Sequence, residues 1–146
     1  MSVLALSPST SFLTRVRQDP AFGAFWVLRL GFIALPLLMG LDKFTNLLTD
    51  WPGYLAPWLV ALLPISAQAA MYAIGVVEIV AGIAVALRPR LAAWVVAAWF
   101  AGIIVNLLTY SGFYDVALRD VGLLVAAVAL GLLARTYDRP RVEATA

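Results

Sequence analysis

The stretch AQAAMYAIGVVEIVAGIAVALRPRLAAWVVAAWFAGIIVNLLT, residues 67–109, decides the fold. It holds two apolar runs, each about 20 residues long, which is the length that an α-helix needs to cross the hydrocarbon core of a bilayer. The three residues RPR at 88–90 separate the runs, and a proline flanked by arginines ends one helix and begins the next. Because so short a connection makes consecutive helices antiparallel, we predict a transmembrane hairpin over 67–87 and 91–109.

Two further apolar runs, 22–41 and 116–134, flank this hairpin, and the second follows it after the short turn 110–113. The intervening stretch 52–65 is also apolar, but it is only 14 residues long and is bracketed by prolines. That length is typical of an interfacial or re-entrant segment, in which Trp51, Tyr54 and Trp58 would lie at headgroup depth.

The predicted fold class is therefore all-α: a polytopic membrane protein with an antiparallel bundle of four transmembrane helices. An interfacial or re-entrant segment joins helices one and two. The predicted organisation is an N-terminal arm over 1–21, a membrane domain over 22–135 and a C-terminal tail over 136–146.

Composition excludes several classes of protein. The chain has 146 residues, of which 64% are hydrophobic and 12% charged, whereas soluble domains carry about 25% charged residues. A net charge of +2 with scattered arginines argues against nucleic-acid binding. Since the chain has no Cys and no His, it lacks the usual ligands of metal and haem centres, so any cofactor must be an organic carrier or belong to a partner.

The arginines indicate an orientation. With four spans, every arginine outside the helices falls on one side of the membrane, whereas the other side has a single basic residue, Lys43. These arginines are Arg15, Arg17, Arg88, Arg90, Arg135, Arg139 and Arg141. Positive charge marks the cytoplasmic side, so we expect both termini in the cytoplasm.

Four charged residues, Arg29, Glu78, Arg119 and Asp120, lie within the predicted spans, where a charge at mid-helix costs about 2.5–3.5 kcal/mol on insertion scales. Arg29 is close enough to the cytoplasmic end of helix one for its side chain to reach the headgroups. Glu78 is near the middle of helix two, on one face with Gly75 and Gly82, which points it into the bundle. There it is either paired with a cation or protonated, and its role is either structural or that of a proton-handling or ligand-binding carboxylate.

The remaining polar residues of the spans converge on the outer side. They are Asp42, Lys43, Asn106, Arg119 and Asp120. With Glu78 they could form one network, acting either as a structural clamp between helix ends or as a ligand site. In the second case, Lys43, Glu78, Asn106 and Arg119 would bound the site. Phe44, Trp99 and Tyr110 would then cover the ring of a bound ligand.

Four motifs resemble the DoxX-like family of small four-helix bacterial membrane proteins: WVLRLGF (26–32), GLDKF (40–44), GVVEIVAGIAVAL (75–87) and ALRDVGLLVAAVAL (117–130). The resemblance covers most of residues 25–133. It implies a compact bundle near membrane redox chemistry, since relatives are described as a membrane subunit of a thiosulfate:quinone oxidoreductase or as partners of soluble antioxidant and sulfur-handling enzymes. By motif match it assigns importance to Arg29, Lys43, Glu78, Arg119 and Asp120, and it makes quinone the expected carrier.

Three functions stay open at this point, and with them the question of whether the chain is an enzyme. The first is a redox-associated membrane subunit that binds quinone or anchors a partner oxidoreductase. The second is a non-enzymatic scaffold in a larger membrane complex, and the third is a proton-coupled transporter that uses Glu78. Expected partners are the lipid bilayer, membrane or soluble oxidoreductase subunits, and a second copy of the chain.

Overall fold

The structure is a computed structural model, and it describes residues 11–138. Predictions for 1–10 and 139–146, including Arg139, Arg141 and most of the tail, lie outside the described residues. The described helices are α1 Phe12–Gln18, α2 Pro20–Asp42, α3 Pro57–Leu62, α4 Ala67–Leu87, α5 Pro89–Leu108 and α6 Tyr114–Tyr137, with a short 3-10 helix at Trp51–Tyr54. Within this part of the chain every regular element is helical.

Four of the helices, α2, α4, α5 and α6, are long and apolar enough to cross a membrane. This confirms the predicted four-helix membrane fold, and the helix ends differ from the predicted bounds by three residues or fewer. The four helices form a ring in which α2 packs against α4 and α6, and α5 packs against the same two neighbours.

Local signals in the sequence explain where the helices begin. Asp19 caps α2 by accepting a hydrogen bond from the Phe22 backbone N–H at 3.1 Å, and Pro20 occupies the first helical position. That backbone hydrogen bond, with the Tyr137 hydroxyl as a further donor, lowers the pKa of Asp19. Ser66 caps α4 in the same way, and Pro89 begins α5 immediately after α4 ends.

Glycines bring α2 and α4 into close antiparallel contact. A Cβ atom on Gly40 would lie 2.7 Å from the Gly75 carbonyl oxygen, and a Cβ on Gly75 would lie 2.7 Å from that of Gly40. Further along, a Cβ on Gly82 would lie 3.0 Å from the Ile33 carbonyl oxygen. Only glycine permits this approach, so the predicted small-residue face of α4 is the one that packs on α2.

The buried apolar core occupies one half of the bundle, at the end where α2 begins and α6 ends, which we call the terminal end. Its largest fully buried side chains include Phe25, Val85 and Leu130, with small alanines between them. Short residues let the helices approach closely, and the Trp94 ring packs directly against Gly131. Aromatic contacts of Phe12 also fix α1, within the predicted N-terminal arm, against the start of α2.

The opposite end is closed by residues 51–63, which we call the cap segment. It contains the 3-10 helix and α3, both too short to cross a membrane, as expected for this stretch. Leu55 of the cap segment packs with Ala70 and Met71 of the first turns of α4. The segment therefore covers the cap end of the bundle, which is the end opposite the terminal end.

Candidate functional site

A cavity of about 580 Å³ lies in the cap-end half of the bundle, between the four long helices and the cap segment. Its wall is largely apolar, with side chains such as Met71, Ile74 and Leu123. Five of the polar residues singled out in the sequence also line it: Lys43, Glu78, Asn106, Arg119 and Asp120. The four helices thus bring most of the candidate residues to one place.

Lys43 and Glu78 form a buried ion pair at the cavity wall. The Lys43 Nζ atom lies 2.7 Å from Glu78 Oε2, and the two side chains are 4% and 13% exposed. The contact between Gly40 and Gly75 makes the pair possible because it holds the end of α2 against the middle of α4. Of the two states that the sequence left open for Glu78, the structure therefore shows the paired one.

The indole ring of Trp51 covers the same ammonium group. Its centroid is 3.7 Å from Lys43 Nζ, a cation–π distance, and its Nε1 atom donates to Asp42 Oδ2 at 2.7 Å. The sequence placed Trp51 at headgroup depth, but here it lies between a buried cation and a carboxylate. The role of Trp51 as a cover for Lys43 was not predicted.

Asp42 does not join the ion pair or line the cavity. Its carboxylate accepts hydrogen bonds from the backbone N–H groups of Leu47 and Leu48 at 3.1 Å, and from the Thr45 hydroxyl. It therefore organises the loop that follows α2. The expectation that all the charged groups form one network is wrong for Asp42, because the loop backbone uses its oxygens.

The charges of α6 are separate from the Lys43–Glu78 pair as well. Arg119 pairs with Asp115 one turn earlier, at 2.6 Å, and both side chains are largely exposed. Asp120 is half-buried and lines the cavity, and its carboxylate has neither a hydrogen bond nor an ion pair with any residue in 11–138. Because Val116, Arg119, Asp120 and Leu123 are spaced at three and four residues, one face of α6 forms this wall.

Asn106 holds the cap segment. Its Oδ1 atom accepts from the Ala56 backbone N–H at 3.0 Å, and its Nδ2 atom donates to the Tyr54 carbonyl oxygen at 2.7 Å. Nearby, Tyr110 donates from its hydroxyl to the Gly53 carbonyl oxygen, and burial raises the Tyr110 pKa. Asn106 was expected at the ligand site, and it does line the cavity, but its amide is engaged with the cap backbone.

Arg29 lies at the terminal end, away from the cavity. Its guanidinium donates to the Ala86 carbonyl oxygen at 2.6 Å and lies 5.0 Å from the centre of the Trp26 ring. The sequence predicted a side chain reaching the headgroups. The structure instead shows Arg29 bonded to the last turn of α4, where a cation is favoured by the helix dipole.

The aromatic residues expected around a ligand are only partly at the cavity. Trp99 lines it, whereas Phe44 stacks on Tyr72 and Tyr110 bonds the cap segment. The Trp99 indole N–H is buried and has no acceptor within the described part of the chain. The aromatic residues that the sequence analysis missed at the cavity are Trp51 and Tyr54. Their sequence signal, a proline-bracketed apolar stretch, indicated only membrane contact.

No protein-family model, curated protein or solved structure matches the chain. The resemblance to DoxX-like proteins stays a prediction, so the chemistry of the cavity carries the functional argument. None of the described residues form a group of three or more carboxylates that could hold a metal ion. The arrangement does offer an apolar space with one buried ammonium group and one carboxylate outside any ion pair.

Proposed function

We propose that the protein is a small membrane subunit, associated with redox chemistry, that binds a quinone in the cap-end cavity. The observation that carries this proposal is the cavity itself, about 580 Å³ of largely apolar space with Lys43 and Glu78 in its wall. Pockets for small organic ligands are typically about 300–1,000 Å³, apolar, and equipped with a few polar groups that fix orientation. A quinone headgroup requires a site of this kind.

The polar groups suit a quinone carbonyl. The Lys43 ammonium has three N–H donors, of which one bonds Glu78 and one faces the Trp51 ring, so a third remains for a ligand oxygen. Trp99 supplies an aromatic surface in the same wall. An isoprenoid tail can extend into lipid from a site within the bilayer, so the cavity needs to hold only the headgroup.

Filling the cavity tests this proposal. Gly102 lines the cavity, and a Cβ atom there would meet no other atom within 4 Å, so we expect the side chain of Gly102→Leu to extend into the space. The matched control is Gly122→Leu, because Gly122 is equally unobstructed but is not part of the cavity wall. Isothermal titration calorimetry measures the binding of a ubiquinone analogue with a ten-carbon tail to the full chain in lipid nanodiscs.

We expect the wild type and Gly122→Leu to bind the analogue equally, and Gly102→Leu to lose at least about tenfold in affinity, since its side chain takes the headgroup's place. Equal binding by all three proteins, or no binding by the wild type, would contradict the proposal. In the second case the scaffold function would become the better explanation.

The Lys43–Glu78 pair disfavours the transporter alternative. A proton-coupled exporter needs a carboxylate that alternates between proton and substrate, whereas the Glu78 Oε2 atom bonds Lys43 at 2.7 Å. The ion pair instead fixes Glu78 as part of the wall.

The location proposed for the protein is a bacterial inner membrane, with both termini in the cytoplasm. Five described arginines lie at or near the terminal end, where the positive-inside rule places the cytoplasm: Arg15, Arg17, Arg88, Arg90 and Arg135. The cavity then opens in the outer half of the membrane. A partner oxidoreductase that exchanges electrons with the quinone would therefore dock where it can reach the outer half of the membrane.

A further inference from the structure

Asp120 is the carboxylate in the cavity wall whose hydrogen-bonding capacity is unused within residues 11–138. Lys43 is neutralised by Glu78 and Arg119 is paired with Asp115, whereas Asp120 has no hydrogen bond or ion pair with residues 11–138. The adjacent Arg119 charge acts on Asp120 without contacting it. A half-buried carboxylate left in this state is costly unless something else supplies a donor.

The two redox forms of a quinone differ in what they offer such a group. The oxidised form presents two carbonyl oxygens, which only accept hydrogen bonds, so neither can bond a carboxylate. The reduced hydroquinone presents two O–H groups, each of which can donate. An O–H bond to a carboxylate is charge-assisted and therefore about twice as strong as a neutral hydrogen bond.

We propose that Asp120 makes the cavity select the hydroquinone form of its ligand by accepting a hydrogen bond from one phenolic O–H. This inference rests on the proposed quinone-binding function. The second oxygen of the same ring, across the headgroup, accepts from the Lys43 ammonium. The site thus contains one acceptor and one donor, and hydroquinone matches both groups whereas quinone matches only the donor.

The test compares the two ligand forms on the same protein. The full chain in nanodiscs is titrated by calorimetry under argon with the ten-carbon ubiquinone analogue, once oxidised and once reduced beforehand. We expect the hydroquinone to bind at least about tenfold more tightly, the ratio given by one charge-assisted hydrogen bond.

Variants then assign the preference to Asp120. In Asp120→Asn the amide can donate to a carbonyl as well as accept, so the affinity ratio should fall to within about twofold. Asp120→Leu, which has no polar group, should lower the ratio similarly. Asp138→Asn, at the opposite end of α6, is the matched control and should keep the wild-type ratio.

Each outcome has a distinct meaning. If the wild type binds neither form, the quinone-binding function fails and this inference fails with it. If it binds both equally, or prefers the oxidised form, quinone binding stands and the role of Asp120 is wrong. A preference for hydroquinone that survives in both Asp120 variants would also overturn the inference. If a variant does not fold, the affinity ratio of the wild type still tests whether the cavity prefers hydroquinone.

Discussion

At the scale of single residues, the Lys43–Glu78 pair has two opposing energy terms. Each charge loses hydration when it is buried, and their attraction at 2.7 Å offsets that loss only while both are present. Removing one partner leaves the other charge buried and unpaired. Removing both charges avoids this cost, so a double variant should be more stable than a variant that lacks only one of the two charges.

We predict that Glu78→Gln destabilises the protein by about 3–5 kcal/mol, because it leaves the Lys43 ammonium without a counter-charge. The double variant Lys43→Met, Glu78→Met should recover most of that loss. Reversible unfolding in mixed detergent micelles measures both changes. As a control, Asp115→Asn breaks the exposed pair with Arg119 and should cost only about 0–1 kcal/mol. A small effect of Glu78→Gln alone would show that the ion pair contributes little.

The sequence allowed the position of Glu78 to be predicted but not the partners of Asp42. Glu78 lies on a glycine face at the middle of a span, so helical periodicity alone turns it inward. The Asp42 oxygens bond backbone N–H groups of Leu47 and Leu48, and those groups reach the carboxylate only once the loop has folded. Charge type and depth in the membrane carry no information about such local bonds.

At the scale of elements, the cap segment depends on a few side chains of the α5 end. The amide of Asn106 makes both a donor and an acceptor contact with the cap backbone. The amide thus satisfies the Ala56 N–H and the Tyr54 carbonyl oxygen, which have no partner in a regular helix or strand. The ends of the long helices followed from apolar length and proline positions, but the attachment of the cap did not, because one asparagine gives no periodic signal.

We predict that Asn106→Ala loosens the cap segment while the bundle stays folded. The Ala56 amide would lose its acceptor, so its hydrogen exchange should accelerate by at least about tenfold, corresponding to one hydrogen bond. The Arg88 amide bonds the Ala84 carbonyl oxygen at the terminal end of the bundle and serves as an internal reference. Thr109→Val is the matched control, because it removes the hydroxyl's bonds to the Trp58 indole and the Asn106 carbonyl oxygen but leaves the Asn106 amide in place. Unchanged exchange at Ala56 would show that the Asn106 bond does not hold the segment.

At the scale of the whole molecule, the two halves of the bundle differ. The terminal end is filled by side chains such as Phe25 and Leu130, whereas the cap end contains the cavity. Orientation therefore decides which side of the membrane has access to the cavity. The chain has no cysteine, so single introduced thiols can report the orientation without background.

We predict that a thiol at Ser111→Cys reacts with an impermeant maleimide in intact cells, whereas one at Ser11→Cys reacts only after lysis. The reason is the concentration of arginines at the terminal end, which the positive-inside rule assigns to the cytoplasm. Labelling in lysed cells controls for accessibility of each position. The reverse pattern would invert the orientation and place the cavity in the inner half of the membrane.

The contacts between α2 and α4 also bear on how the chain enters the membrane during biosynthesis. Alone, α2 would bring the Arg29 charge into lipid and α4 would bring that of Glu78, at about 2.5–3.5 kcal/mol each on insertion scales. Together, Arg29 bonds the Ala86 carbonyl oxygen and Glu78 meets Lys43, so each charged group has its partner on the neighbouring helix. The Arg29 charge of the first spanning helix, α2, thus has no partner until α4 has been synthesised. The pair of helices α2 and α4 is therefore the smallest unit that inserts into lipid without an unpaired charge.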